Sequence, residues 1–252
     1  MSREPLVELQ KIEKTFGRVQ AVTDVNLKLY EGEIVSLVGD NGAGKTTLTK
    51  IIAGTEKADA GGKILLRGEE QKNWNAAKAR KLGIETVHQN RALSEQQSIY
   101  ANIFMGRELT NRFGFVKRKQ EVEETEALMR KIGYTSKVWT PYSQVLKLSG
   151  GERQGVAISR AIMFDSSLVM LDEPTTAMAL SEQAEVMEFI LDLKKQGKSV
   201  IFISHNPWDA HAVADRFVIL DRGRLVFDGP KGNMNADEFI KMLRDIAKKG
   251  TL

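Results

Sequence analysis

The sequence predicts an α/β protein with a parallel-sheet core, an N-terminal antiparallel β subdomain and an inserted α-helical subdomain. The first observation is a set of three short apolar runs, at Ile34–Val38, Leu168–Leu171 and Val200–Ile203. Each is too short for a helix and is typical of a strand buried on both faces of a parallel sheet. The second is the stretch from about residue 90 to 165, which has few β-branched runs and several helical patterns.

The N-terminal part predicts strands first and then a helix. Val7–Ile12 alternate between apolar and polar side chains, as in a half-buried strand, and Val22–Leu29 follow a similar pattern. After the buried strand Ile34–Val38, a helix is expected from Lys45 toward residue 53. Gly54 is expected to end that helix, because glycine is common just after a helix C-terminus.

The later elements follow from periodicity. Glu121–Ile132 and Glu182–Lys195 have the apolar spacing of amphipathic helices. Phe217–Leu220 and Leu225–Phe227 flank a polar turn and predict a hairpin, and Asp237–Lys249 predict a surface helix. We therefore expect a single domain over residues 1–252, with a catalytic α/β core at 1–89 and 166–252 and a helical subdomain at 90–165.

The composition is that of an ordinary globular protein. The chain has 252 residues, 42% hydrophobic and 28% charged, with a formal net charge of +4, a surplus too small to argue for nucleic-acid binding. Cysteine is absent, which excludes a disulfide framework and a thiolate metal site. No apolar run approaches the ~20 residues that span a bilayer, and the N-terminus lacks a signal-peptide hydrophobic region. We expect a soluble, cytoplasmic chain.

Gly39–Thr46 fit the phosphate-binding pattern G-x-x-x-x-G-K-[ST] between a predicted strand and a predicted helix. Backbone N–H groups are expected to wrap the phosphates, Lys45 to reach the outer phosphates, and the Thr46 hydroxyl to ligate Mg²⁺. The core is therefore expected to be a P-loop NTPase core of the RecA-like type. The candidate nucleotide-binding residues of this loop are Gly39, Asp40, Asn41, Gly42, Ala43, Gly44, Lys45, Thr46 and Thr47.

Two further candidate groups follow the other apolar strands. Asp172 and Glu173 come directly after Leu168–Leu171, at the strand end where α/β folds bind ligands. Asp172 is expected to support Mg²⁺, and Glu173 to orient or deprotonate an attacking water. His205 follows the third apolar strand, a position that favours contact with the terminal phosphate.

Leu148–Gln154 form a second phosphate-binding element, without a lysine. Ser149 and Glu152 have the spacing of a capping box, which marks a helix start, and Gly150 and Gly151 between them let a ligand approach the backbone. A helix N-terminus offers unpaired N–H groups and the positive end of a dipole, both suited to an anion. Two incomplete halves of one site suggest that the site is built between two copies of the chain.

The order of these motifs resembles the nucleotide-binding subunit of ABC transporters, from about residue 6 to 229. The resemblance implies an ATPase in which Glu173 is the catalytic carboxylate and His205 the switch histidine. It also implies that Phe16 stacks on adenine and that Gln89 contacts Mg²⁺ and the attacking water. Gln89 would lie at the joint between the α/β core and the helical subdomain.

The same resemblance implies an assembly of two ATPase subunits, expected to be a homodimer, with two ATP molecules between them. Four residues of the Leu148–Gln154 stretch would clasp ATP bound to the opposite subunit. The further partners implied are a multi-span membrane permease, gripped by surface residues near Gln89–Glu108, and indirectly a substrate-binding protein. The chain would be peripheral on the inner face of the membrane. The clasping residues are Ser149, Gly150, Gly151 and Glu152.

Three short segments are similar to simple-sugar importers of the ribose, xylose and fructose type: Gly39–Lys45, Asn102–Glu108 and Ser204–Asn206. Such importers often fuse two of these domains, and the single one here is more similar to fructose-type members. The resemblance implies ATP-driven uptake of a simple sugar. One departure is Ala179, which stands where the family usually has an aspartate, in a segment that normally crosses the dimer interface.

Other functions stay open on the sequence. A non-transport ABC ATPase of the iron–sulfur assembly type fits the length, whereas a DNA-repair type needs a long coiled-coil insertion and a translation type usually has two ATPase units. An ABC subunit for a different substrate is a further alternative. A regulatory nucleotide-binding module without turnover is disfavoured by Lys45, Asp172, Glu173 and His205, although Ala179 leaves room for it.

Overall fold

The computed structural model describes residues 4–87, 93–131, 139–176 and 178–249. The strands are β1 (Val7–Phe16), β2 (Val19–Leu29), β3 (Ile34–Val38), β4 (Lys63–Leu66), β5 (Glu69–Glu70), β6 (Ile84–Val87), β7 (Leu168–Asp172), β8 (Ser199–Ile203), β9 (Arg216–Asp221) and β10 (Arg224–Pro230). The helices are α1 (Lys45–Ile52), α2 (Ala76–Lys81), α3 (Ile99–Phe104), α4 (Arg118–Lys131), α5 (Gly150–Ile162), α6 (Leu180–Lys195), α7 (Pro207–Val213) and α8 (Ala236–Lys249).

The strands form two sheets. The N-terminal sheet is antiparallel with the order β2-β1-β4-β5, and the larger sheet has the order β10-β9-β3-β8-β7-β6. In the larger sheet β9, β3, β8, β7 and β6 are parallel, and β10 is an antiparallel edge strand paired with β9. The predicted α/β architecture with an antiparallel N-terminal subdomain is confirmed.

The three apolar runs are buried on both faces, as their composition predicts. On β7, Met170 packs in the cluster shared with the antiparallel sheet and α1, whereas Val169 and Leu171 pack in the cluster shared with the helices α3, α5 and α6. On β8, Ile201 packs in the first of these clusters and Phe202 in the second. Successive side chains of a strand point to opposite faces, so a strand in a sheet covered on both sides buries nearly every side chain. The one polar residue of β3, Ser36, donates a hydrogen bond from Oγ to the carbonyl oxygen of Ala210 at 2.9 Å.

Between β6 and β7 the described residues contain helices α3, α4 and α5, a 3₁₀ turn at Val145–Lys147 and two isolated β-bridges. The predicted helix Glu121–Ile132 corresponds to α4, which begins earlier, at Arg118. The subdomain boundaries at residues 90 and 165 stay a prediction. Among the residues that the structure describes, no helix is long and apolar enough to cross a membrane.

Several elements differ from the sequence prediction. Strands β4, β5 and β6 and helices α2, α3 and α7 were not predicted, because they have only two to seven residues and carry too little periodicity to detect. The C-terminal helix α8 is more than a surface helix. Its Phe239 is fully buried and stacks on Phe217 with ring centroids 3.9 Å apart, so one face of α8 covers the sheet beside β9.

Candidate nucleotide site

Three neighbouring strands carry the predicted site residues at their carboxyl ends. Strand β8 lies between β3 and β7 in the sheet, and all three are parallel. The loop Gly39–Gly44 follows β3, Asp172 ends β7, and His205 comes two residues after the end of β8. The sheet order therefore brings together groups that are up to 166 positions apart in the sequence.

The glycines of the phosphate loop are required first of all by its own packing. A Cβ atom on Gly39 would lie 2.2 Å from the carbonyl oxygen of Leu220, and one on Gly44 would lie 2.4 Å from that of Ala21. Gly44 also has φ +103°, in the left-handed region that glycine tolerates best. At Gly42, with φ +84°, a Cβ would have nothing within 4 Å, so this glycine faces open space.

Lys45 begins α1 and lies under the loop. Its Nζ donates hydrogen bonds to the carbonyl oxygens of Gly39 at 2.6 Å and Asp40 at 3.0 Å, and the side chain is almost fully buried. Burial lowers the pKa of the Lys45 ammonium, while the charges of Glu173, Asp40 and Asp172 act in the opposite direction. A buried cation whose hydrogen bonds go to neutral carbonyl groups is suited to receive an anion.

An open cavity of about 510 Å³ lies above the loop. It is large enough for a nucleotide-sized ligand. Val19, Gln20 and Arg222 also line it, and no sequence motif pointed to them. The predicted residues that line this cavity are Asn41, Gly42, Gly44, Lys45, Thr46, Thr47, Asp172 and Glu173.

Thr46 and Asp172 lie close enough to line one small recess beside the loop, together with Thr86 of β6. A hydroxyl and a carboxylate are oxygen donors of the kind that Mg²⁺ prefers. The pairing predicted from sequence for a magnesium ion therefore fits the donors that the fold places side by side. Gln89, the third predicted magnesium contact, lies outside the described residues.

Glu173 is held at the strand end by its backbone and by its side chain. Its N–H donates to the carbonyl oxygen of Ile203 at 2.9 Å, and its Oε2 accepts from Thr176 Oγ1 at 3.2 Å. Its Oε1 lies 3.1 Å from His205 Nδ1. The backbone of Glu173 has φ +49°, which is uncommon for a residue with a side chain. Strain of this kind persists where the surroundings hold the residue firmly, and here it directs the carboxylate toward the cavity.

The helix start predicted at Ser149 is present and fully capped. The N–H of Glu152 donates to Ser149 Oγ at 3.2 Å, and the N–H of Ser149 donates to Glu152 Oε2 at 2.7 Å. The other carboxylate oxygen of Glu152 accepts from Trp139 Nε1 at 2.6 Å. Both carboxylate oxygens of Glu152 therefore accept hydrogen bonds within its own subunit, and its contact with ATP stays a prediction.

A carboxylate from α6 also contacts this helix start. Glu182 Oε1 accepts from the Gly150 N–H at 2.7 Å, and Glu182 Oε2 accepts from the Ala179 N–H at 3.2 Å. Hydrogen bonds from Ala179 and then Gly150 lower the pKa of the Glu182 carboxyl. Sequence reasoning missed Glu182, although its spacing of three residues from Ala179 is that of a capping box.

The two phosphate-binding elements do not meet within one subunit. Among the described residues that line the cavity above the phosphate loop, none belongs to Ser149–Glu152. Phe16 ends β1 and pairs with Val19, which does line that cavity. Its ring is 47% exposed, with Lys14 Nζ 5.0 Å from the ring centroid, so it is available for a flat ligand.

Asn102, part of a segment that resembles sugar importers, has a structural position. It is fully buried, its Oδ1 accepts from the Ser94 N–H at 2.7 Å, and its Nδ2 donates to the carbonyl oxygens of Ser94 and Ser98 at 3.0 and 2.9 Å. The side chain thus fastens the loop before α3. Arg107 pairs with the buried Glu85 of β6 and joins the helical segment to the sheet.

This combination of fold and site defines a P-loop nucleotide-binding protein. A family model described as ABC transporter matches residues 22–176. The solved ATP-binding cassette MJ1267 in its ADP conformation has a TM-score of 0.81 at 22% identity, and the match covers 96% of this chain and 95% of that one. A dimeric post-hydrolysis cassette, MJ0796 bound to ADP and Pi, has a TM-score of 0.72 at 22% identity, covering 89% and 98%.

The xylose/arabinose import ATP-binding protein XylG of Sulfolobus acidocaldarius is 39% identical over 96% of this chain and 95% of its own length. The fructose import ATP-binding protein FrcA of Rhizobium meliloti is 39% identical over 94% and 93%. The ribose import ATP-binding protein RbsA of Caldanaerobacter subterraneus is 34% identical, and the chain spans 48% of it, about half its length. The chain belongs to the ABC transporter family, as its ATP-binding and ATP-hydrolysing subunit.

Proposed function

We propose that this subunit powers the uptake of a simple sugar through a membrane permease, by hydrolysing ATP between two copies of the chain. The observation that carries the ATPase part is the meeting of Lys45, Asp172 and Glu173 around one cavity. The sugar part is supported by the relatives that match nearly end to end, which are import proteins for xylose/arabinose and fructose.

Each side chain has a distinct task in this proposal. The buried Lys45 ammonium binds the outer phosphates in place of the carbonyls it now contacts. Thr46 and Asp172 hold Mg²⁺, which neutralises phosphate charge when bound. Glu173 accepts a proton from the attacking water, and His205 positions the Glu173 carboxylate through their 3.1 Å contact. Phe16 provides a ring against which the base stacks.

The second half of the site comes from the partner copy. Ser149–Glu152 lie outside the cavity of their own subunit, yet they form a helix start of the kind that binds anions. A head-to-tail pair would bring this helix start to the cavity of the other copy. Conversely, ATP would favour the closed pair, because a ligand shifts an equilibrium through its differential affinity for the two states.

A permease contact is supported by a groove between the α/β core and the helical subdomain. The groove encloses about 260 Å³ and lies partly within the segment predicted to contact the permease, since Met105, Gly106 and Arg107 line it. Arg80 and Arg160 line it as well. With Arg107 they make three arginines against one carboxylate, Glu85, so the surface of the groove is basic. In this arrangement the chain is peripheral at the inner face of the membrane and needs no spanning segment of its own.

The ATPase assignment is tested with Glu173→Gln. This change keeps the size of the side chain and removes the proton acceptor, so ATP turnover should fall about 10²–10⁴-fold while ATP binding persists and a stable dimer forms with ATP. Turnover is measured by phosphate release, and binding by calorimetry. Native turnover in this variant would show that Glu173 is not the base.

The transport assignment needs a separate experiment. The subunit is reconstituted in liposomes with a candidate sugar permease of the same organism, and ATPase activity is measured with a binding protein loaded with xylose, ribose or fructose. We expect stimulation by one loaded sugar over the unloaded binding protein. Activity that ignores both permease and sugar would instead favour a non-transport ATPase.

A further inference from the structure

In the single subunit, the anion-binding start of α5 already has an anion on it. The Glu182 carboxylate accepts from the Gly150 N–H at 2.7 Å through one oxygen and from the Ala179 N–H at 3.2 Å through the other. One carboxylate therefore bridges the first turns of two helices, α5 and α6. It occupies the same kind of position that a phosphate takes at a helix N-terminus.

The glycines at the start of α5 let residues of α6 approach this helix start closely. A Cβ atom on Gly150 would lie 2.8 Å from Glu182 Oε2, so a side chain there would push the carboxylate away. A Cβ atom on Gly151 would lie 3.0 Å from Glu185 Oε2 and 3.2 Å from Glu182 Cβ, so this glycine lets α6 approach α5 closely. Ala179, at the start of α6, has no side-chain acceptor, so the bond from its N–H to Glu182 Oε2 is one half of a capping box without the other half.

We propose that Glu182 is a built-in competitor for the phosphate position on α5, and that its carboxylate must leave Gly150 before the terminal phosphate of the partner's ATP can bind there. This inference rests on the proposed function, because it assumes the ATP sandwich between two copies. Both groups are anions that use the same N–H donors and the same positive helix end. They repel each other at hydrogen-bonding distance. Glu182 therefore raises the ATP concentration at which two subunits close.

A purely structural role for Glu182 predicts the opposite sign. If the contact only braces α5 against α6, weakening it should loosen the helix start and hinder closure. Glu182→Gln separates the two roles, because the amide oxygen can still accept from the Gly150 N–H while the negative charge is gone. A competitor that has lost its charge should make closure easier.

The test measures ATP-dependent dimer formation by light scattering, in the Glu173→Gln background so that ATP is not consumed. ATP with Mg²⁺ is titrated against the parent, against Glu182→Gln, and against Glu188→Gln as the matched control. Glu188 is an exposed residue of the same helix, so the control removes the same charge away from α5. Glu182→Asp is a second variant, which keeps the charge on a side chain too short to reach Gly150.

We expect the ATP midpoint for dimer formation to fall about two- to fivefold in Glu182→Gln and to fall also in Glu182→Asp. The midpoint should stay unchanged in Glu188→Gln, and ATP affinity of the monomer should stay unchanged in all. An unchanged or higher midpoint in Glu182→Gln, or an equal fall in Glu188→Gln, overturns the inference while leaving the ATPase assignment intact. If the parent forms no dimer with ATP, the proposed sandwich fails, and the inference fails with it.

Discussion

The starts of helices α1 and α5 both suit an anion, but the fold treats them differently. At α1 the N-cap is Gly44 in a left-handed conformation, and within the described residues no side chain accepts from the first turn. At α5 the N-cap is Ser149 with a complete capping box, and Glu182 adds a second carboxylate. One helix start is left open by its backbone, and the other is occupied by side chains of its own subunit.

This difference gives the two helix starts different roles in binding phosphate. The open start has Lys45 beside it, buried and held by two carbonyl oxygens, so it can take a nucleotide in the single subunit. The occupied start can gain a phosphate only when something displaces its own acceptors. The proposed function therefore has ATP bind to the single subunit and the site completed only in the pair.

The largest effect is expected at the open start. Lys45→Ala removes the only cation that contacts the loop carbonyls among the described residues, and it should weaken ATP binding by the single subunit at least ~100-fold. Calorimetry with the monomer measures this. Lys119→Ala, a change at an exposed residue of α4, serves as the control. ATP binding that survives Lys45→Ala would break the comparison, because the open start would not be the nucleotide site.

A bulky residue at the occupied start should have a different signature. Ser149→Phe should leave ATP binding by the monomer unchanged, since Ser149 lies outside the cavity, and reduce turnover at least ~10-fold by blocking closure. Binding and steady-state ATPase rates are measured on the same preparation, with Ser149→Thr as the control that keeps the cap. Loss of monomer binding would place this helix start in its own subunit's site.

The two starts should also differ in how they tolerate a methyl group. In Gly44→Ala the new Cβ meets a backbone carbonyl at 2.4 Å and needs φ +103°, so the free energy of unfolding should fall by about 1–3 kcal/mol. In Gly150→Ala it meets only the end of the Glu182 side chain at 2.8 Å, and the loss should stay below ~1 kcal/mol. Denaturant unfolding of both variants compares them, and equal losses would remove this distinction.

The smallest effect is expected at the edge of the cavity. Phe16→Ala should weaken ATP binding about two- to tenfold through lost stacking, without changing stability, because the ring is half exposed. Phe16→Tyr, which keeps the ring, should bind like the native chain. Titrations with ATP and with GTP measure the nucleotide affinity of both variants. An ATP affinity that Phe16→Ala leaves unchanged would show that the base binds elsewhere.

The fold and much of the candidate site could be predicted from local pattern. The runs Ile34–Val38 and Val200–Ile203 form strands because short, almost wholly apolar runs suit a parallel sheet that is covered on both faces. The phosphate loop and the capping box at Ser149 were also predictable, since each depends on residues within about eight positions. Short elements such as α2 and β5 were not, because six or two residues carry no usable period.

The contacts of the site lay beyond such patterns. The pairing of His205 with Glu173 joins residues 32 positions apart, on neighbouring strands, as does that of Glu182 with Gly150 on packed helices. Periodicity reports which face of an element is buried, but it does not report which side chain of another element lies opposite. Only packing reveals that the carboxylate bound to the Gly150 N–H comes from Glu182 of α6.

The sequence by itself determined the class of this protein, its phosphate loop, its second helix start and the carboxylates at the strand ends. These features are local, because each depends on residues that lie close together in the sequence. The tertiary structure decided the order of strands that gathers Lys45, Asp172, Glu173 and His205, and the occupation of α5 by Glu182. That occupation depends on how two helices pack, and it distinguishes a helix start that is ready for phosphate from one that must first release its own anion.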